Sequence, residues 1–189
     1  TLQEQPMDWY SIVKFLHVTT AILWVDGGFV LFLLGMLAER AGNIEEKLQA
    51  MRASGQLGGR FFAPMSMLTL IFGLIMCWFW VGFSDLWVLI GLAGYATTFS
   101  IGMFIFKPTG ERMGAMIAKE GVTPEVLAIG QRMMSAARFD YAVMLVIIAD
   151  MVLKPTVHDI GILAGMVLVV MVGATLAFGG NRRLVPSAA

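Results

Sequence analysis

Apolar residues run along this chain in long blocks, not in the alternation of a strand or the single stripe of a surface helix. A helix needs roughly 20 apolar residues to cross about 30 Å of hydrocarbon at about 1.5 Å per residue. Five runs approach that length: Trp9 to Leu37, Phe61 to Phe83, Leu86 to Phe106, Phe139 to Leu153 and Ile160 to Phe178. The first is long enough to tilt or to reach beyond the bilayer. It is too long for a signal-peptide core and has no basic segment before it, so it reads as a retained helix. The fourth is the shortest and carries Asp140 and Asp150. Continuous runs exclude the short alternating segments of a β-barrel. The expected fold is all-α: an integral membrane bundle of five transmembrane helices in one domain over residues 1–183. Residues 184–189 are expected to be a disordered tail or tag remnant.

The connections have patterns of their own. Asn43 can cap a helix at Ile44, with Glu46 three residues on, in the manner of a capping box. Ile44, Leu48 and Met51 then form its stripe, and Gly55 stops it. Thr123-Pro124-Glu125 starts another, with proline in the first turn and Val126, Ile129 and Met133 as its stripe. Both are expected to be short amphipathic helices on the inner membrane surface or inward extensions of the spans.

Composition agrees with the runs. The chain is 58% hydrophobic and 14% charged, against about 45–50% and about 25% in a soluble domain. That excludes disorder, which needs low hydrophobicity and high net charge. Thirteen basic and thirteen acidic residues leave no basic surplus for nucleic acid. A single cysteine excludes a disulfide framework. Glycine-rich phosphate loops, nucleophile elbows and zincin helices are absent.

Basic residues set the orientation. Arg40, Lys47, Arg52 and Arg60 lie between spans one and two. Lys107, Arg112, Lys119, Arg132 and Arg138 lie between spans three and four, and Arg182 and Arg183 follow span five. Only Lys14 and Lys154 lie toward the opposite side. The N-terminus is therefore expected outside and the C-terminus inside. The zero net charge is a cancellation, with a positive inner side and a negative outer one.

Ionisable residues within a membrane have a job or a partner. Lys14, His17, Ala21, Trp24 and Gly28 share one face of span one, and Asp26 points the other way. His17 lies about 12 Å along the helix from Trp9. A neutral imidazole there suits a metal or haem iron, or a hydrogen bond to a neighbouring helix. Asp150 and Lys154 are one turn apart and can pair, and Pro155 ends their helix. His158 and Asp159 open the next helix, where Asp159 suits the helix dipole. Arg138 and Asp140 mark the inner end of span four. They cannot face each other on one helix, so Arg60 is a candidate partner for Asp140. Cys77 and fifteen scattered methionines show no spacing of a copper relay and read as packing.

Three patches carry a family resemblance. Tyr10-x-x-x-Lys14-x-x-His17, followed by Trp24 and Gly27-Gly28, resembles the first helix of a group of small bacterial membrane proteins. Arg60-Phe61-x-x-Pro64 with Gly73 resembles the second helix of the integral membrane family DUF2269 in that group. Arg138-Phe139-Asp140 and Met151-Val152-Leu153-Lys154-Pro155 resemble its late helix. The similar copper-resistance CopD domains and HemJ-type protoporphyrinogen oxidases belong to the same group. The resemblance covers roughly spans one to four. It implies a helical bundle in the bacterial cytoplasmic membrane, with His17 as a ligand of haem b. Lys14 would meet a propionate, and His158, Lys154 or a methionine would stand opposite. The oxidases' Tyr-His of the third helix is here Tyr95-Ala96, and their Asn-Glu after the late arginine is here Phe139-Asp140-Tyr141-Ala142. Three functions follow as expectations: a b-type haem protein in electron transfer or porphyrin chemistry, a non-catalytic subunit or assembly factor, and a copper- or small-solute-handling protein. The expected partners are the lipid bilayer and a second copy or larger membrane complex.

Overall fold

The computed structural model describes residues 8–40 and 57–179, and among these it is helical throughout, with no strand. There are five long helices: α1 (Trp9–Arg40), α2 (Gly58–Val81), α3 (Leu86–Glu120), α4 (Pro124–Leu153) and α5 (Ile160–Phe178). By length and composition α1, α2, α3 and α5 can each cross a membrane. α4 is 30 residues long, but its apolar stretch is interrupted by Arg138, Asp140 and Asp150.

Two expectations are refined here. Of its two expected forms, the amphipathic segment at Thr123 takes the second: it extends the fourth span and is not a separate surface helix. Thr123 Oγ1 does accept from the Val126 amide, at 3.3 Å, as an N-cap should. The helix it starts then runs unbroken to Leu153. The reason is local: Gln131 to Tyr141 contains no glycine or proline, so polarity rises without anything to stop the helix. The third span likewise does not end at Phe106. It continues to Glu120, past Pro108, which follows a wider i→i+5 turn over Gly102–Phe106. Such a turn removes the proline's demand on the regular ladder. The helix expected at Asn43 and the tail at residues 184–189 lie outside the described residues.

α4 is the hub, packing against α1, α3 and α5, while α2 packs chiefly on α1. Glycines set the approaches. A Cβ on Gly91 of α3 would meet the Met151 methyl and the Asp150 carboxyl of α4. On Gly94 it would meet Ile147, on Gly28 of α1 Met144, and on Gly173 of α5 the Cβ of Ala142. The core is a Trp24–Tyr95–Met144 cluster from α1, α3 and α4, with Phe62 and Leu70 of α2 packed against it. Outward, large apolar side chains such as Phe15, Ile22, Val167, Leu168 and Leu176 are exposed. That outside-greasy arrangement suits lipid, not water.

The α2–α3 and α4–α5 connections are short. α2 ends in an i→i+5 turn, closed by the Gly82 amide on the Cys77 carbonyl at 2.8 Å. Gly82 then adopts φ +87°, a conformation glycine reaches without steric cost. Trp78, Phe79 and Trp80 are exposed on this turn, and Trp80 meets Tyr10 of α1 edge-on at 5.6 Å. Such an exposed aromatic cluster suits a membrane–water interface. At the opposite end of the bundle Arg112 and Glu125 pair at 2.9 Å between α3 and α4. Both are solvent-exposed, so the pair contributes at most about 1 kcal/mol.

Candidate functional site

His17 sits half-buried where α1 crosses α2. Its Nδ1 lies 2.9 Å from the Thr69 carbonyl. A carbonyl only accepts, so in this bond Nδ1 carries the proton and Nε2 of the neutral ring keeps its lone pair. Gly73, one turn outward from Thr69, makes room. A Cβ there would stand 3.0 Å from the ring's Cε1. Thr20, one turn inward from His17, returns its hydroxyl to the Leu16 and His17 carbonyls at 2.9 and 3.0 Å. Lys14 is exposed one turn outward, with its ammonium 5.8 Å from the Tyr10 ring. The shared face of Lys14, His17 and Trp24 divides by depth: Lys14 outside, His17 at the seam, Trp24 in the core.

The other expected members are not gathered around His17. Lys154 does not pair with Asp150. It closes α4 with φ +45°, and its amide donates to the Asp150 carbonyl at 2.8 Å. That backbone reversal carries the ammonium over the Trp87 ring of α3, 4.9 Å from its centre. The contact holds by cation–π attraction. His158 is exposed in the α4–α5 turn. Asp159 stands at the α5 N-terminus, but it does not cap the helix. It accepts from the Thr156 amide at 2.8 Å and hydroxyl at 2.7 Å. These bonds hold its carboxyl below the usual range, Thr156's amide more than its hydroxyl, with a smaller help from His158.

The carboxylates of the spans separate sharply. Asp26 is exposed on the outward face of α1. Asp140 is 6% exposed and Asp150 0%. Neither oxygen of Asp150, nor Oδ1 of Asp140, has a hydrogen-bond partner. Arg60 is exposed on α2 and does not reach Asp140, and Arg138 is exposed two residues before it. The buried Trp24 Nε1 is a fourth polar atom without a partner. Sequence reasoning missed Tyr95 and Ser66, whose hydroxyls meet at 3.3 Å in the interior. Both are unremarkable as residue types in an apolar run, and only the α2–α3 register makes them a pair.

Among the described residues no group of three or more His, Cys, Asp or Glu could hold a metal ion. Of the ligands expected opposite His17 in a haem site, Lys154 is engaged by Trp87 and His158 lies in an exposed turn. An apolar crevice between α3, α4 and α5, lined by Ile90, Val146 and Met166 among others, does not include His17. No family model, curated protein or solved structure matches the chain significantly.

Proposed function

We propose that this chain is a five-span protein of the bacterial cytoplasmic membrane, N-terminus outside, and that it binds a b-type haem through His17. One observation carries the haem reading. The imidazole is tied at Nδ1 to the Thr69 carbonyl, which leaves Nε2 as the free ligand atom. A carbonyl behind a ligating histidine fixes its tautomer and raises its basicity. Bound there, a b-type haem would supply one-electron transfer. The chain's own residues do the holding: His17 by Nε2, Thr69 by orienting the ring, Gly73 by leaving it room. The exposed Lys14 is placed one turn outward for a propionate. The first-helix motif, similar to that of the HemJ-type group, supports the same assignment.

Protein purified from cells with ample haem supply should show a Soret band that shifts on reduction and is lost in His17→Ala. Colourless protein sinks this reading. The bond to Thr69 also serves a second reading, in which His17 is an interhelical tie in a non-catalytic subunit or assembly factor. Colourless protein that His17→Ala destabilises, purified with a larger complex, would favour it. Retained copper would favour the third expectation instead.

A further inference from the structure

Among the described residues, Asp150 has no counter-charge and no hydrogen-bond partner. The elements packed around it bring no charge. α3 presents Gly91 and, one turn inward, Tyr95. α1 contributes the buried Trp24, and the register set by Ala142 and Gly173 brings Gly165 and Met166 of α5 to this level. Lys154 has turned away to Trp87. A lone ionised carboxylate in such a place is strongly disfavoured unless something positive joins it. A metal cation demands several oxygens, and no such group is present among the described residues. A proton demands one.

Asp150 is also not isolated along the bundle axis. The contacts of Gly91 with Asp150 and of Gly94 with Ile147 fix an antiparallel register between α3 and α4. Continued inward, that register sets Thr98 beside Val143 and Ile101 beside Asp140, and all four are buried. Polar groups therefore follow one another through the interior. Asp150 lies near the outer end of α4, and the unpartnered Trp24 Nε1 and the Tyr95–Ser66 hydroxyl pair follow it. Next comes Thr98, then Asp140, about 15 Å from Asp150 along the helix. Met144 is packed between them, and Met151 lies beside Asp150 against Gly91. Methionine is unbranched and moves aside at low cost.

We infer that the α1–α3–α4 interior is a gated proton route, with Asp150 its outer and Asp140 its inner exchangeable carboxyl and the Tyr95–Ser66 hydroxyls between them. Each carboxyl takes up a proton from one side and releases it to the other, so nothing is consumed. Water admitted when the methionines swing carries the proton across the gaps. The route rests on the five-span reading and not on haem.

The test uses the full chain in vesicles of neutral lipid loaded with a pH-sensitive dye, under a potassium diffusion potential. Wild-type protein should acidify the vesicles faster than empty ones. Asp150→Asn and Asp140→Asn should each fall to the empty-vesicle rate, and Asp150→Glu should retain transfer. Wild-type vesicles no faster than empty ones, or Asp150→Asn as fast as wild type, overturns the proposal. Should an Asn variant fail to fold, dicyclohexylcarbodiimide on the wild-type protein decides. Labelling mapped to Asp150 that stops the flux supports the route. Labelling there with undiminished flux, or flux stopped with neither Asp150 nor Asp140 labelled, overturns it. A reporter fused to the C-terminus reads the span count independently, so failure of the topology and failure of the route are separable.

Discussion

Asp159 illustrates how a charge is settled at the α4–α5 turn. Two donors of Thr156 stabilise the ionised carboxylate, so its folded pKa lies below the unfolded value of about 3.9. A depressed acid contributes stability above its unfolded pKa and loses it as pH falls through the folded one. The turn between α4 and α5 should therefore be indifferent to pH from neutral down to about 4, and loosen only below that. Amide exchange at Thr156, followed against pH, should show the loosening in wild type and not in Asp159→Asn. Residues of this kind were partly legible in the sequence. His17 stood out as an ionisable group in an apolar run, but its partner is a backbone carbonyl, which leaves no mark in a sequence. The pairing of Asp150 with Lys154 was a fair inference from their spacing. It fails because Lys154 leaves the helix at its last turn, and one left-handed residue redirects the whole side chain.

Helices meet here through glycine, and what each glycine faces decides how much it matters. A methyl added at Gly173 runs into the Cβ of Ala142, which has no rotamer to change, so α4 and α5 must part. A methyl at Gly91 runs into the end of Met151, which can swing away. Alanine gains up to about 1 kcal/mol of helix propensity at either position, whereas overpacking costs about 1–3 kcal/mol. Gly173→Ala should therefore lose about 1–2 kcal/mol net and Gly91→Ala little or nothing. Denaturation in detergent micelles measures both, and equal losses would contradict the packing argument. The apolar runs gave the helices' existence and most of their outer ends. They stop short of the full length of α3 and α4, and only for α4 does a cap signal, Thr123-Pro124-Glu125, mark the true start. Arg112, Arg132 and Arg138 lower hydropathy without lowering helix propensity, so the runs stop while the helices go on.

Across the whole molecule, the basic residues lie toward one face. Arg60, Lys107, Arg112, Lys119, Arg132 and Arg138 stand at or beyond the end opposite the Trp78–Trp80 cluster. A C-terminal reporter enzyme that works only in the cytoplasm should be active, and one that works only outside should be silent. The reverse result would refute the proposed orientation. The hub position of α4 could not be read from the chain, because hydropathy says which segments are helical and not which are neighbours. That position has a consequence for how the protein is made. α1 and α2 leave the ribosome first, and they are each other's main partners. Their seam, with His17 against Thr69 and Gly73, needs nothing later in the chain. α3 has no such partner until α4 arrives, and α5 can only dock last. Biogenesis is thus expected to proceed as an early hairpin waiting for a late one. The interior holding Asp140 and Asp150 closes only when α4 joins the halves.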